Sequence, residues 1–313
     1  MGDKHVTERL TAEPAGIARA AELIVAGGLV ALPTETVYGL AARADRAETV
    51  AAIYRAKGRP NFNPLIVHVP DIFAGERIAA FDARAHALAA RFWPGPLTLV
   101  LPLRDDAGIA PAATAGLPTV AVRCPAHPSM RAVLAACGFP LAAPSANRSG
   151  AVSPTTAEHV LETLDGRIDA VLDAGPCERG LESTIVAVRE DGWQLLREGP
   201  IAERELIALL AAPLAVTKTA IEAPGQLAQH YSPGKPVRLE AKIARPGEFH
   251  IGFGSLAGDC NLSPGSDLTE AAARLYACLH AAARSSQPLV AVAPIPEDGI
   301  GRAINDRLRR AAA

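Results

Sequence analysis

The sequence predicts an α/β protein: a large domain with a mixed sheet and flanking helices, followed by a small C-terminal α/β unit. Three observations lead there. Short apolar runs alternate with helix-spaced segments through roughly the first two hundred residues, prolines and glycines interrupt the pattern after about residue 210, and a strand–helix–strand pattern resumes beyond. With 313 residues, 49% hydrophobic and 20% charged, the chain exceeds the needs of one ordinary core, which fits one large domain plus a small one.

In chain order, residues 14–28 carry Ile17, Ala20, Ala21, Ile24 and Val25 at helical spacing and stop at Gly27-Gly28. Residues 29–32 read as a short buried strand, 47–57 as a helix closing at Gly58, and 65–69 as a strand entered through Asn63-Pro64. Further strands are expected over 97–103, 119–122, 141–143, 170–173, 184–188 and 193–197, with helices over 83–92, 129–137 and 156–164. This mixture favours both parallel and antiparallel pairing. Pro213, Pro224-Gly225, Pro233-Gly234 and Pro236 then crowd a stretch that neither a regular helix nor a central strand tolerates, so it reads as a linker. Gln226, Gln229, His230 and Tyr231 are unusual for a passive tether. Beyond it, 249–253 and 289–293 look like strands, 267–284 an Ala-rich helix capped by Ser266 or Asp267, and 300–310 a last helix.

Composition excludes several functions. Lys and Arg number 31 against 33 for Asp and Glu, a net charge of -2, so no global basic field draws the chain to nucleic acid or anionic lipid. Cys124, Cys137, Cys177, Cys260 and Cys278 are odd in number and never spaced as CxxC, which argues against a zinc knuckle or disulfide framework and fits a reducing cytoplasm. The polar start and the lack of an apolar run of about 18 residues suggest neither secretion nor a membrane span.

Four clusters place polar and cationic residues where strands meet loops, the usual location of α/β sites. Pro33-Thr34-Glu35-Thr36-Val37-Tyr38-Gly39 can present hydroxyls and backbone N–H groups to a small polar ligand, although a turn with a capping threonine explains it equally. Lys57-Gly58-Arg59-Pro60-Asn61-Phe62-Asn63-Pro64 holds two cations beside a rigid strand entry, suiting phosphate or carboxylate; favourable charge at a helix C-terminus competes. His68, after Leu65-Ile66-Val67, reads equally as a core histidine or a ligand. Thr119 opens and Arg123 ends a third strand segment, joined by the small-residue run Ala143-Pro144-Ser145-Ala146-Asn147 and by Ser153-Pro154; a plain loop competes. Ser183 opens one strand and Arg197 closes the next, where a surface salt bridge explains Arg197 taken alone.

Two other patterns are decoys. Gly252-Phe253-Gly254-Ser255-Leu256-Ala257 matches G-x-G-x-x-A, but Asn261 and Pro264-Gly265 follow where that motif demands a helix. Gly234-Lys235 precedes Pro236, where a P-loop needs Ser or Thr.

The segments PTETVYGL, KGRPNFNPLIVHV, the Arg123 strand, APSANRSG and STIV, in that order and spacing, resemble the YrdC-like family of threonylcarbamoyl-AMP synthases over about residues 29–199. PGQLAQHYSPGKP and GIGRAINDRLRRAA extend the likeness to the two-domain form. The resemblance implies a YrdC-like twisted sheet in a catalytic domain over 1–212, an active-site lid over 213–237 and a Rossmann-like accessory domain over 238–313. It implies condensation of L-threonine, bicarbonate and ATP to threonylcarbamoyl-AMP and pyrophosphate, and transfer of the product to tRNA by a separate complex; direct contact with tRNA is left open. By similarity Thr36, His68, Arg123, Ala143 and Ser183 would hold threonine. Arg59, Asn63, Thr119, Ser145, Ser153, Arg197 and Tyr231 would hold the nucleotide, Lys57 and Arg59 would act on the phosphates or bicarbonate, and magnesium would arrive on ATP rather than in a dedicated protein site. The family pattern often has an aromatic residue where this chain has Ala228, which implies a looser lid.

The competing reading is an RNA-binding YrdC-like module without catalysis, which the net charge of -2 disfavours. Carbamoyl transfer in hydrogenase maturation would need acylphosphatase and zinc-finger regions, for which the chain has neither length nor cysteines.

Overall fold

A computed structural model describes residues 6–214, 222–223 and 230–313. The expectations placed on Pro224, Gly225, Gln226, Ala228 and Gln229 lie outside the described residues.

The first domain is built on ten strands: β1 (Glu8–Thr11), β2 (Val30–Leu32), β3 (Gly39–Arg43), β4 (Ile66–His68), β5 (Leu97–Pro102), β6 (Thr119–Arg123), β7 (Leu141–Ala142), β8 (Ala170–Asp173), β9 (Thr184–Arg189) and β10 (Gly192–Arg197). They form one sheet in the order β1-β8-β2-β3-β7-β4-β6-β5-β9-β10. Pairing is mixed: β4 runs parallel to β6 and β5 to β9, whereas β6 is antiparallel to β5 and β10 to β9. Among the described residues eight helices accompany it: α1 (Pro14–Val25), α2 (Ala47–Lys57), α3 (Ile72–Glu76), α4 (Ala83–Phe92), α5 (Pro111–Thr114), α6 (Pro128–Cys137), α7 (Ala157–Leu164) and α8 (Glu203–Leu210). Strands β1 and β3 were not expected. Strand β1 is an exposed edge, and β3 is a Gly- and Ala-rich segment held by antiparallel neighbours rather than by β propensity.

Side-chain alternation along the strands separates the two faces. Val67, Leu97, Leu99, Leu101, Val120, Val122, Val186 and Val188 point into the main core. On the opposite face Ala41, Leu141 and Ala143 pack with residues of α1 and α6 such as Ala20 and Val133. The remainder of that face carries Ile66, Val100, Ala121, Ile185 and Ala187, and what joins this smaller cluster is Ala223 from the linker. The sheet thus has a bay on this face, against which the linker residue Ala223 packs.

The C-terminal unit is a four-stranded parallel sheet, order β11-β14-β12-β13, of β11 (Val237–Arg238), β12 (Glu248–Gly252), β13 (Cys260–Asn261) and β14 (Leu289–Val292), with α9 (Leu268–Arg284) and α10 (Gly301–Ala311). After Gly252 the chain turns and no helix follows until Leu268, so the G-x-G-x-x-A match is a loop. The core of this unit takes in Val37, Val152, Leu181 and Tyr231, so the two domains share packed side chains. Contact is close at Gly180, whose φ is 70° and where a Cβ would meet the Ala273 Cα at 2.4 Å. Among the described residues no helix is long and apolar enough to cross a membrane.

Candidate active site

The register of β4 on β6 builds the floor. Ile66 pairs with Ala121 and His68 with Arg123, so by the two-residue period Ile66, His68, Thr119, Ala121 and Arg123 share the bay face. Arg123 ends β6, and each of its three guanidinium nitrogens donates once. Its Nη2 donates to Glu35 Oε1 at 2.6 Å, Nη1 to Thr36 Oγ1 at 3.0 Å and Nε to the Gly95 carbonyl at 3.2 Å. The Thr34 hydroxyl donates to the Val37 carbonyl at 2.6 Å and lies 2.8 Å from that of Thr36, which fixes this loop above the strand ends.

Across the bay, Arg197 donates from Nε to the Ser183 carbonyl at 3.0 Å and from Nη2 to Ser183 Oγ at 3.1 Å. Ser183 Oγ also lies 2.7 Å from Thr98 Oγ1. Helix α2 ends at Gly58 in a left-handed turn, φ 58°, which swings Arg59 back inward. Its Nη2 donates to the Pro64 carbonyl at 3.1 Å. Lys57 is fully buried too, but its Nζ donates to the carbonyls of Ser145 and Asn147, beneath that loop.

One cavity joins these groups. Its lining includes Thr36, His68, Arg123, Ala143 and Ser183, together with Arg59, Ser145, Arg197 and Tyr231. Lys57, Asn63, Thr119 and Ser153 are not in the lining, so of the four cations expected to converge, three do. Thr119 begins the strand that Arg123 ends, about 13 Å away at the usual rise per residue. Ser153 is buried beside Glu182, which does line the cavity and to which its hydroxyl donates at 2.6 Å.

The free space at the centre is about 40 Å³, room for a few waters and not for an amino acid plus a nucleotide. The site is therefore shut in this structure. The linker fills it: His230 and Tyr231 belong to the lining, and Tyr231 is 1% exposed with a left-handed backbone, φ 65°.

Electrostatics favour an anion. Arg59, Arg123 and Arg197 line the cavity and Lys57 and Arg307 are also buried, and the carboxylates paired with these cations are Glu35, Glu182 and Asp306. Burial, aided by the Arg197 charge, pushes Arg59 down to about 10, and burial beside Arg59 lowers Lys57 well below its usual value. Burial and the Arg123 charge hold His68 at about 3, so its imidazole is neutral at physiological pH. Buried polar atoms are normally paired, yet His68 Nδ1, His230 Nδ1, Asn63 Oδ1, Asn147 Oδ1 and Arg307 Nη2 have no partner among the described residues. Of these residues His68 and His230 line the cavity, where a bound ligand would meet them.

Sequence reasoning leaves Glu35 and Glu182 unassigned, although Glu35 falls inside PTETVYGL and Glu182 directly precedes STIV. The available signal was an acid embedded among apolar and hydroxyl residues in a site expected to hold several arginines.

A family model for Sua5, YciO and YrdC proteins, described as "Telomere recombination", matches residues 22–199, and one described as "Threonylcarbamoyl-AMP synthase, C-terminal domain" matches residues 201–313. The Bacillus subtilis (strain 168) threonylcarbamoyl-AMP synthase is 40% identical over 98% of this chain and 96% of its own. This chain belongs to the threonylcarbamoyl-AMP synthase family. The family member from Pyrococcus abyssi is 38% identical over 98% of this chain and 96% of its own. The crystal structure of P. abyssi Sua5 complexed with L-threonine superposes with a TM-score of 0.89 at 35% identity, covering 98% of this chain and 97% of that one. As in that family, the fold here is a large mixed sheet with flanking helices followed by a C-terminal domain.

Proposed function

We propose that the protein is a threonylcarbamoyl-AMP synthase that condenses L-threonine, bicarbonate and ATP, releasing pyrophosphate. The carrying observation is the closed, cation-rich cavity beneath His230 and Tyr231, in a chain 40% identical to a synthase over nearly its full length. In the proposed reaction the threonine amine takes up bicarbonate with loss of water, and a carbamate oxygen attacks the α-phosphorus of ATP as pyrophosphate leaves. Neither step needs a covalent protein nucleophile, so the protein contributes position, charge and dryness.

Threonine is assigned to the Arg123 end of the bay, with Thr36, Ala143 and Ser183 around it; that a relative's crystal structure is complexed with L-threonine supports threonine as the substrate. His68, neutral and with a free Nδ1, is suited to accept a proton donor from the substrate. The nucleotide is assigned to Arg59, Asn63, Thr119, Ser145, Ser153, Arg197 and Tyr231, where cations outnumber carboxylates. Lys57 supports that region through the Ser145–Asn147 carbonyls it holds. Magnesium is assigned to the ATP phosphates: the carboxylate in the cavity wall, Glu182, is already engaged by Ser153, Tyr276 and Arg307. Transfer of the product to tRNA is assigned to a separate complex.

The test is pyrophosphate release measured with each amino acid, with and without bicarbonate. Release that requires threonine and bicarbonate supports the reading; release indifferent to either would sink it.

A further inference from the structure

Glu182 stands where the two domains meet at the active site. It lines the cavity, yet its carboxylate accepts donors from both sides of the domain boundary. From the first domain Ser153 Oγ donates to Oε1 at 2.6 Å. From α9 the Tyr276 hydroxyl approaches Oε2 at 2.8 Å, and from α10 Arg307 Nε donates to Oε2 at 3.1 Å. Arg307 is 0% exposed. It also stands over the Tyr231 ring, 5.6 Å from its centroid, and the Tyr231 and Tyr276 rings stack at 5.6 Å. One arginine and one tyrosine of the C-terminal domain therefore form a socket that touches both the linker aromatic and the carboxylate in the cavity wall.

We propose that Arg307 and Tyr276 are positioning residues of the active site: their socket locks Glu182 and, through it, the Ser153 hydroxyl, only when Tyr231 is seated. Rings, guanidinium and carboxylate are buried together, so the arrangement forms as a unit or not at all. With its proton committed to Glu182, Ser153 can only accept from a ligand, which suits a ribose hydroxyl or an adenine amino group and not a phosphate oxygen. Arg307 Nη1 donates to Asp306 Oδ2 at 2.8 Å, and Nη2 is buried with no partner among the described residues, so the guanidinium is anchored within α10 as well as on Glu182. The C-terminal domain is thereby a contributor to nucleotide binding, and the inference rests on the synthase reading above.

The experiment uses the full chain and compares wild type with Glu182→Gln, Arg307→Met, Arg307→Lys and the double variant Arg307→Met with Glu182→Gln. Pyrophosphate release gives kcat/KM for ATP, calorimetric titration gives threonine affinity, and thermal melts monitor folding. A glutamine cannot accept all three donors, so Glu182→Gln should lower kcat/KM for ATP at least about ten-fold while threonine affinity stays within about two-fold. Arg307→Lys should retain more activity than Arg307→Met, and the double variant should be no worse than Arg307→Met alone. Should Arg307→Met not fold, Glu182→Gln and Arg307→Lys carry the comparison. Unchanged kcat/KM for ATP in Glu182→Gln, or parallel loss of ATP use, threonine affinity and melting temperature in every variant, would overturn the proposal. A wild type that releases no threonine-dependent pyrophosphate would overturn the synthase reading instead.

Discussion

Glu35 and Arg123 form a buried ion pair at 2.6 Å, with side-chain exposures of 8% and 4%, and the carboxylate is clamped on its other oxygen by the Ala126 amide at 3.1 Å. Burial alone would raise the Glu35 carboxyl, but the charge and hydrogen bonds of Arg123 outweigh it and hold the group below its ordinary value. Removing one member of such a pair leaves the other buried and uncompensated. Glu35→Ala should cost about 3–5 kcal/mol of stability and weaken threonine binding, and Glu35→Gln should cost less. Urea melts and threonine titration check both; an Ala variant as stable as wild type would show that the pair does not orient Arg123.

A second expectation concerns acid. His68 and His230 are both held at about 3, chiefly by burial, against 6.5 in an unfolded chain. The unfolded state therefore takes up protons that the folded state refuses, and stability falls as pH drops below about 6.5. Glu182, held at about 2 against 4.5, keeps its contribution above about pH 4.5 and loses it as pH falls towards 2. Acid unfolding should thus begin with the histidines. Melts across pH 4.5–6 should show a slope near 1.4 kcal/mol per pH unit for each such histidine, lessened in His68→Gln.

Lys57 holds two carbonyls of the Ser145–Asn147 loop. A Lys57→Met variant keeps the length and loses the donors, so it should destabilise by about 1–3 kcal/mol and raise KM for ATP more than it changes threonine affinity. Equal effects on both substrates would mean that the loop does not serve the nucleotide end.

Ala223 is 0% exposed on the bay face, and neighbouring Glu222 pairs with Arg189 at 2.9 Å. An Ala223→Glu variant would push a carboxylate among Ile66, Val100, Ala121, Ile185 and Ala187, so the linker should no longer lie on the sheet. Pyrophosphate formation should fall at least about ten-fold with little change in the melting of the first domain. Full activity without residues 213–237 would refute the lid.

Much of this was legible in the sequence. The strands over 65–69 and 119–122 were plain because β-branched residues alternate or cluster there, and prolines beside Arg59 and Arg123 marked cations held in rigid segments. Lys57 was harder: a last-turn lysine reads as charge for the helix end, and the loop it supports lies 88 and 90 residues onward. The two glutamates were hidden for the same reason, since Glu35 finds Arg123 across 88 residues and Glu182 finds Arg307 across 125. Strand β3 lacks any local signal and exists because its neighbours pair with it.

The left-handed backbone of Tyr231, φ 65°, costs a bulky L-residue about 1–2 kcal/mol, so local preference works against the shut posture. The catch is sprung towards release and stays shut only through what grips the ring. Occupancy and posture are then reciprocally linked: a guest that tightens the catch is itself bound more firmly, and any loosening of the catch speeds the guest's departure.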